Sequence, residues 1–313
     1  MEVIKRKTLN SIALTLLGKP LLEKLLCDLS SSSFIRNRFK IGAIPFSYLL
    51  VLDKPEIRIA KVGKYQVYVN IAEHQGISLY FLREHNEPFS AWLASELVDE
   101  GDTCIDVGAN MGSYTFLMAS RVGSGGKVFA FEPNPELNKM LLDSVHINQC
   151  ESWISVDNRA LYSQSGEYLK FYLSNNPSNS GTSSLVNHGT FVNEGNFILV
   201  ETITLTDCFK ENKIDKCNLI KIDVERAELD VLTGAIDLLK ERRIDYIILE
   251  QLGGSESQKL LSSVGYTCWL IDEARKVLID NQQIKEDYFG NYLFVSPTCI
   301  DQFKNDFSRI IAN

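Results

Sequence analysis

The chain has 313 residues, a formal net charge of −8, and 45% apolar, 10% aromatic and 23% charged residues. That length supports one large core with an appendage, in a composition ordinary for a globular protein. The acidic balance argues against a nucleic-acid or anionic-membrane partner, and no apolar run approaches the roughly 20 residues that cross a bilayer.

Residues Thr8 to Leu29 carry Ile12, Leu16, Leu17, Leu21, Leu22, Leu25 and Leu26 at helical spacing, and Pro20 divides the stretch into two short helices. Lys5-Arg6-Lys7 opens a helix rather than a signal peptide. The apolar run behind it is short, and Lys19-Pro20 replaces a small-residue cleavage site. Such an appendage could cover a substrate site, pack on a second subunit or extend the core. Glu56–Ile71 alternates apolar and polar residues around Gly63-Lys64, which predicts a hairpin. Leu79–Leu82 is a short apolar run, and Pro88–Val98 is a predicted helix.

The stretch from Asp102 to Pro135 carries the most information. A strand (Thr103–Val107) runs into a glycine turn (Gly108–Gly112), a helix (Ser113–Arg121), a second turn (Gly123–Gly126) and a second strand (Val128–Glu132). This is half of a nucleotide-binding α/β fold, with its ligand at the carboxyl ends of the strands. Gly108 and Gly112 permit a tight turn and close backbone approach. The helix start behind them suits a carboxylate or phosphate. Glu132 can accept both hydroxyls of a ribose. A dinucleotide site needs glycine where this chain has Asn110, and no phosphate-cradling lysine loop occurs. Asp106 and Glu132 around a phosphate-poor loop suit S-adenosylmethionine, with its ribose, amino-acid carboxylate and positively charged sulfur.

A helix follows from Glu136 to Asn148, then a strand, Trp153–Val156. Asp157 and Asn158 end that strand, where they could bind an adenine edge or form a plain turn. Gly166–Leu173 alternates like an edge strand. Ser174–Gly195 is a long loop rich in Asn, Ser and Gly, suited to a polyol or simply flexible. Val200–Leu205 is a strand, and Thr206-Asp207 caps a helix through Phe209. Leu219–Glu225 is a near-continuous apolar strand ending in Asp223 and Glu225, and Arg226–Leu239 is an amphipathic helix. Asp245–Glu250 is a strand, Ser257–Ser263 a helix, and Thr267–Leu270 and Tyr292–Ser296 are strands, before a short helical tail.

Asp106-Val-Gly-Ala-Asn-Met-Gly-Ser-Tyr-Thr115 with Phe131-Glu-Pro-Asn-Pro135 resembles the FkbM family of S-adenosylmethionine-dependent methyltransferases. Lys221-Ile-Asp-Val-Glu225 and Glu228-Leu-Asp-Val-Leu232 are similar to a second family motif, in which Arg226 replaces a glycine. The resemblance runs from Leu79 to Ser296. It implies a Rossmann-like class I methyltransferase fold: α/β, doubly wound, with a seven-stranded, mostly parallel sheet and an antiparallel last strand. Residues 1–78 would be a helical and hairpin extension, 79–297 the cofactor-binding domain and 298–313 a tail.

The resemblance also implies a site. S-adenosylmethionine would lie on Asp106, Gly108, Asn110, Gly112, Glu132, Asp157 and Asn158. The family carries a Glu-Pro-like start to the Pro88 helix, so Glu87 either faces the cofactor or complements the helix dipole. Ser183-Ser184-Leu185 matches a family element in the long loop. Acceptors in the family are often hydroxyls of sugars or polyketide-like natural products, and the Asn/Ser loop favours a sugar. Ser184, His188 and Arg226 are the substrate-binding candidates.

Methyl transfer to oxygen is an in-line displacement that needs alignment and one general base. Asp223 and Glu225 are the catalytic candidates, with Glu250 and His188 behind them. Otherwise Asp223 binds the cofactor's amino group or caps the next helix, and Glu225 pairs with Lys221 or Arg226. For Arg226 three readings stand: a surface pair with Glu225 or Glu228 on ordinary helical backbone, a damaged site, or a grip on an anionic acceptor. The competing functions are a nicotinamide-dependent oxidoreductase and a degenerate binding protein. Seven scattered cysteines without a C-x-x-C pair, and four histidines (His74, His85, His146, His188) without ligand spacing, suggest a reducing, cytoplasmic setting and no metal. The expected partner is a small-molecule or saccharide acceptor, in a possible homo-oligomer.

Overall fold

The computed structural model describes residues 19–32, 54–176, 178–187, 189, 192–283 and 288–312. The helix expected before Pro20, and His188, lie outside these residues. Pro20–Ser31 forms α1, with Pro20 at the first turn, where its missing N–H is not needed. Ile57–Val62 (β1) and Tyr65–Asn70 (β2) pair antiparallel across Gly63-Lys64, as the alternation predicted. His74–Ile77 (α2) leads into a π-helical turn, Ser78–Leu82.

The alternating part of the chain follows. It comprises Pro88–Glu96 (α3), Thr103–Val107 (β3), Ser113–Val122 (α4), Lys127–Phe131 (β4), Pro135–Ile147 (α5) and Ile154–Asp157 (β5). Ala160–Leu161 (β6), Tyr168–Tyr172 (β7) and Phe197–Ile203 (β8) form a separate small sheet in the order β6-β8-β7, so the predicted edge strand sits there and not in the main sheet. Then come Leu205–Glu211 (α6), Cys217–Ile222 (β9), Glu228–Thr233 (α7), Ile236–Lys240 (α8) and Ile244–Leu252 (β10). Glu256–Ser263 (α9), Thr267–Asp272 (β11), Val277–Asp280 (β12), Phe289–Val295 (β13) and Ile300–Asp306 (α10) complete the described chain.

The main sheet has the order β12-β11-β13-β10-β9-β3-β4-β5. It has eight strands, not seven, and the extra one is β12. The side chain of Asp272 closes the turn before it, accepting from the backbone of Ala274 and Arg275. The apolar run Val277-Leu278-Ile279 then pairs back onto β11. β3, β4, β5, β9 and β10 are mutually parallel, and β13 is antiparallel between β10 and β11.

Strand alternation splits the core between the two faces of this sheet. Cys104, Leu219 and Leu293 join the cluster formed with the β1–β2 hairpin, α3, α4 and α5. Ile105, Ile220 and Phe294 join the cluster under α6 to α9. Leu219, Ile220 and Ile222 are fully buried, worth about 1.5–3 kcal/mol apiece.

Three expectations are corrected locally. The helix expected over Arg226–Leu239 is two short helices, because Gly234 packs directly on the Tyr162 carbonyl and its own carbonyl accepts from Thr206. Thr204, not Thr206-Asp207, caps α6, accepting from Asp207 N at 3.0 Å. The strand expected to reach Glu225 stops at Ile222, which leaves Asp223 to Ala227 as a turn.

Candidate active site

The chain runs outward from β3 through β4 to β5 on one side, and through β9 to β10 on the other. Strand order therefore reverses between β3 and β9, where open α/β sheets bind ligands. There the Asp223 N–H donates to the Val107 carbonyl at 2.9 Å. A cavity of about 1040 Å³ opens at these strand ends, and Asp106, Gly108, Asn110, Glu132, Asp223, Glu225, Arg226 and Glu250 all reach its wall. That is room for a cofactor and an acceptor together.

The glycine turn forms one side. Gly108, Asn110 and Gly112 have φ of 77°, 52° and 88°, so the loop doubles back between β3 and α4. Gly112 itself lies behind the wall, packed on Leu141 and Phe116. Glu132 secures the loop: its Oε2 accepts from Asn110 N at 2.7 Å and its Oε1 from Asn134 N at 2.8 Å. Burial pushes its carboxyl up to about 7. Asp106 accepts from Thr115 Oγ1 at 2.5 Å, and burial raises it to about 6. Gly112 offers no side-chain cap at the start of α4, where Asp106 also bonds the Thr115 backbone. The Gln75 amide donates to Ser113 Oγ at 3.0 Å, and His85 Nε2 stands 3.2 Å from the Ser113 carbonyl. Burial pushes His85 down to about 4, so the ring is neutral at pH 7.

A charged chain forms the floor. Lys221 is opposite Asp106 in register and is 1% exposed. Its Nζ lies 3.7 Å from Asp223 Oδ2, donates to Asn291 Oδ1 at 3.2 Å and stands 5.4 Å from the Tyr114 ring centroid. Burial works against its charge, but Asp223, Glu87, Glu250 and Asp106 outweigh that and raise its pKa. Asn291 Nδ2 donates to Glu87 Oε1 at 2.6 Å, and the Tyr114 hydroxyl to Glu87 Oε2 at 3.2 Å. Glu87 therefore faces the cavity and does not cap α3. Glu273 fills that role, accepting from Phe89 N and Ser90 N at 2.9 and 2.7 Å. Asp223, hydrogen-bonded to Glu250, pushes the Glu250 carboxyl far above the usual range, with burial adding to it. That pair holds a proton at neutral pH.

The remaining side is the turn after β9. Glu225 and Arg226 have φ of 52° and 80°. The ordinary helical backbone expected at Arg226 is thus overturned: the arginine keeps the left-handed conformation that suits glycine. Ser184 Oγ donates to the Glu225 carbonyl at 2.5 Å, and Glu228 Oε1 accepts from Arg226 N at 2.9 Å. These two bonds hold the strained turn. Ser184 is fully buried behind the wall and clamps the turn from there, so the structure does not place it against an acceptor. The exposed Arg226 guanidinium has no ion-pair partner within 4.0 Å among the described residues. Burial, then Asp223 and Glu228, push the Glu225 carboxyl up to about 7.

Asp157 and Asn158 are not on the wall. The Asp157 carboxylate is taken by Arg159, at 2.7 Å from Nη2, and Arg159 also reaches Glu211 at 2.8 Å. Two residues apart across a tight turn, the opposite charges close on each other. Apolar Phe131, Ala160 and Leu161 line the cavity there instead.

The methyltransferase FkbM domain matches residues 106–283, more than half of the chain. The chain belongs to the FkbM methyltransferase family. A hexuronic acid methyltransferase of Haloferax volcanii, AglP, is 28% identical over 173 residues, which is 54% of this chain and 65% of that relative. The match thus spans less than two thirds of the relative's length. Two solved structures show a low similarity to this chain. An S-adenosylmethionine-dependent O-methyltransferase of Thermotoga maritima is 13% identical, covering 84% of this chain and 81% of that one, with a TM-score of 0.38. Aeropyrum pernix fibrillarin with bound S-adenosylmethionine is 13% identical, covering 76% and 82%, with a TM-score of 0.37.

S-adenosyl-L-methionine is the methyl donor of the FkbM family, and the cleft fits it. Asn110 Oδ1 and Gln75 Oε1 are buried acceptors without partners among the described residues, suited to donors on a ligand. Lys221 and Gln75 were the residues that sequence reasoning missed. A lysine amid the apolar run of β9 was a visible signal, because buried lysine is rare unless paired. Gln75 carried no signal, since it sits ahead of the matched segment in a short helix. The loop after β7 is pinned over the glycine turn: Glu73 Oε2 accepts from Ser180 N and Oγ at 3.0 and 2.6 Å. A Cβ on Gly181 would come within 2.7 Å of Asn110 Nδ2. His188, the loop's other candidate, lies outside the described residues.

Proposed function

We propose that this chain transfers the methyl group of S-adenosylmethionine to a hydroxyl of an acidic sugar, in the cytoplasm. The observation that carries this is the Glu225-Arg226 turn. It sets a carboxyl that titrates near 7 beside a guanidinium with no ion-pair partner among the described residues, across one cavity from the glycine turn. A base poised near neutral pH suits removal of a hydroxyl proton. A guanidinium fork suits a carboxylate. The Haloferax relative's activity on a hexuronic acid supports the same class of acceptor. When bound, S-adenosylmethionine supplies an electrophilic methyl on a sulfonium. The chain's own work is to align the acceptor oxygen, exclude water and take the proton.

The free thiols of all seven cysteines support a reducing compartment. Among the described residues, no helix is long and apolar enough to cross a membrane. The family match gives no support to the oxidoreductase or degenerate-scaffold readings.

The test has two stages. Calorimetry with S-adenosylmethionine and with NAD should show binding of the first alone. Binding of NAD alone would restore the oxidoreductase, and binding of neither the scaffold. Mass spectrometry should then find a gain of one methyl group on hexuronic acids and little on neutral hexoses. Arg226→Gly should raise the acceptor KM for hexuronic acids about 10- to 100-fold, the worth of a charge-assisted hydrogen bond, with cofactor affinity unchanged. The same variant should gain about 1 kcal/mol of stability, because glycine relieves the positive φ. An unchanged KM would remove the guanidinium from the acceptor site.

Glu132 is assigned to the ribose hydroxyls. Glu132→Ala should lower cofactor affinity by about 1.5–3 kcal/mol. In the unmodified protein that affinity should rise as pH passes about 7, since the carboxylate is the accepting form and burial keeps the carboxyl protonated below that. A pH-independent affinity, or an unaffected variant, would assign the ribose elsewhere.

A further inference from the structure

The extension ahead of the matched family segment reaches the cofactor side of the cavity. His74 and Gln75 belong to α2, and both line the wall. Gln75 is firmly placed. Gly76 packs so closely on the Asn70 carbonyl that a Cβ there would overlap it. Asn70 Oδ1 accepts from Ala72 N at 3.1 Å, and Asn70 Nδ2 donates to Glu73 at 2.9 Å. The Gln75 side chain is then oriented by its Nε2, which donates to Ser113 Oγ.

What that orientation leaves is an unusual juxtaposition. Gln75 Oε1 is buried and has no partner among the described residues. It sits beside the start of α4, a helix of 10 residues whose first amides receive no side-chain cap from Gly112, while Asp106 takes that of Thr115. Those amides and the helix dipole call for an anion. The orphan carbonyl beside them calls for a donor, because a buried acceptor without one is costly. A group that answers both is a zwitterion with carboxylate and ammonium on one carbon.

We propose that Gln75 is a cofactor-binding residue, whose Oε1 accepts from the α-ammonium of the methionine part of S-adenosylmethionine while the first turn of α4 takes its carboxylate. This rests on S-adenosylmethionine being the ligand. It gives the hairpin extension a part in the site: Asn70, Glu73 and Gly76 position Gln75 against α4.

Calorimetry with two thioether analogues of S-adenosylmethionine tests it. S-adenosylhomocysteine keeps the amino-acid end, and methylthioadenosine lacks it. Gln75→Leu should weaken S-adenosylhomocysteine about 10- to 100-fold and leave methylthioadenosine unchanged. Equal weakening of both ligands in Gln75→Leu would reduce Gln75 to a structural role and overturn the proposal. So would unweakened S-adenosylhomocysteine in that variant. Failure of the unmodified protein to bind either ligand would instead sink the S-adenosylmethionine reading itself.

Discussion

Replacing Glu225 by Gln is expected to leave S-adenosylmethionine binding intact and to lower turnover about 10²–10⁴-fold, the usual worth of a general base. Of the two carboxyls beside Arg226 on the cavity wall, Glu228 is engaged by the Arg226 amide, which leaves Glu225 as the candidate base. Glu250 is pushed far above the usual range by Asp223 and by burial, and Lys221 lies 3.7 Å from Asp223. Burial first, then Asp223 and Glu228, bring the Glu225 carboxyl to about 7. The sign of the pH effect follows. Below about 7 the group is protonated and cannot accept, so kcat/KM for the acceptor should fall tenfold per pH unit there and level off above. In Glu225→Gln that limb should vanish along with the rate. Full turnover in this variant, with loss in Asp223→Asn, would move the base to Asp223.

Gly108→Ala should destabilise the fold by about 3 kcal/mol or more, and cost the cofactor site as well. At φ 77° an alanine carries about 1–2 kcal/mol of backbone strain. Its Cβ would also overlap the Asp223 carbonyl oxygen, and the Val224 Cγ1 lies 3.5 Å away. A backbone carbonyl cannot rotate aside as a side chain can. The ends of β3 and β9 would have to separate, breaking the Asp223 N to Val107 O bond, with a further 1–3 kcal/mol typical of overpacking. Thermal unfolding should register this as a loss of about 6 °C or more. An unaltered melting temperature together with unaltered cofactor affinity would show that the two strand ends part at little cost.

The glycine turn, the acid at the end of β4 and the two carboxylates after β9 were legible in order along the chain, because each depends on a few adjacent residues. Gly108, Asn110 and Gly112 adopt positive φ, and the structure keeps Asp106, Gly108, Asn110 and Glu132 at one cavity. Asp157 and Asn158 were misplaced for a local reason too: Arg159, two residues on, captured the Asp157 carboxylate. Arg226 misled through its residue type. Left-handed backbone is disfavoured for arginine by local sterics, yet Ser184 and Glu228 hold it there from outside the turn.

Periodicity by itself determined the alternating strands and helices, the hairpin of the extension and the parallel sheet, because apolar spacing acts over a few residues. Composition determined that the chain could bury such a core. Only the tertiary structure decided which polar groups meet. Strand order set β9 against β3 and so put Lys221 opposite Asp106. It brought Glu87 to Asn291 across a separation of 204 residues, and gave the α3 cap to Glu273, 184 residues from Phe89. It added β12 at the sheet edge and laid Gln75 against the start of α4. The physical reason is one of range. Sterics and side-chain periodicity act between neighbours in sequence, whereas a buried charge or amide is satisfied by whatever the packed elements bring within hydrogen-bond reach.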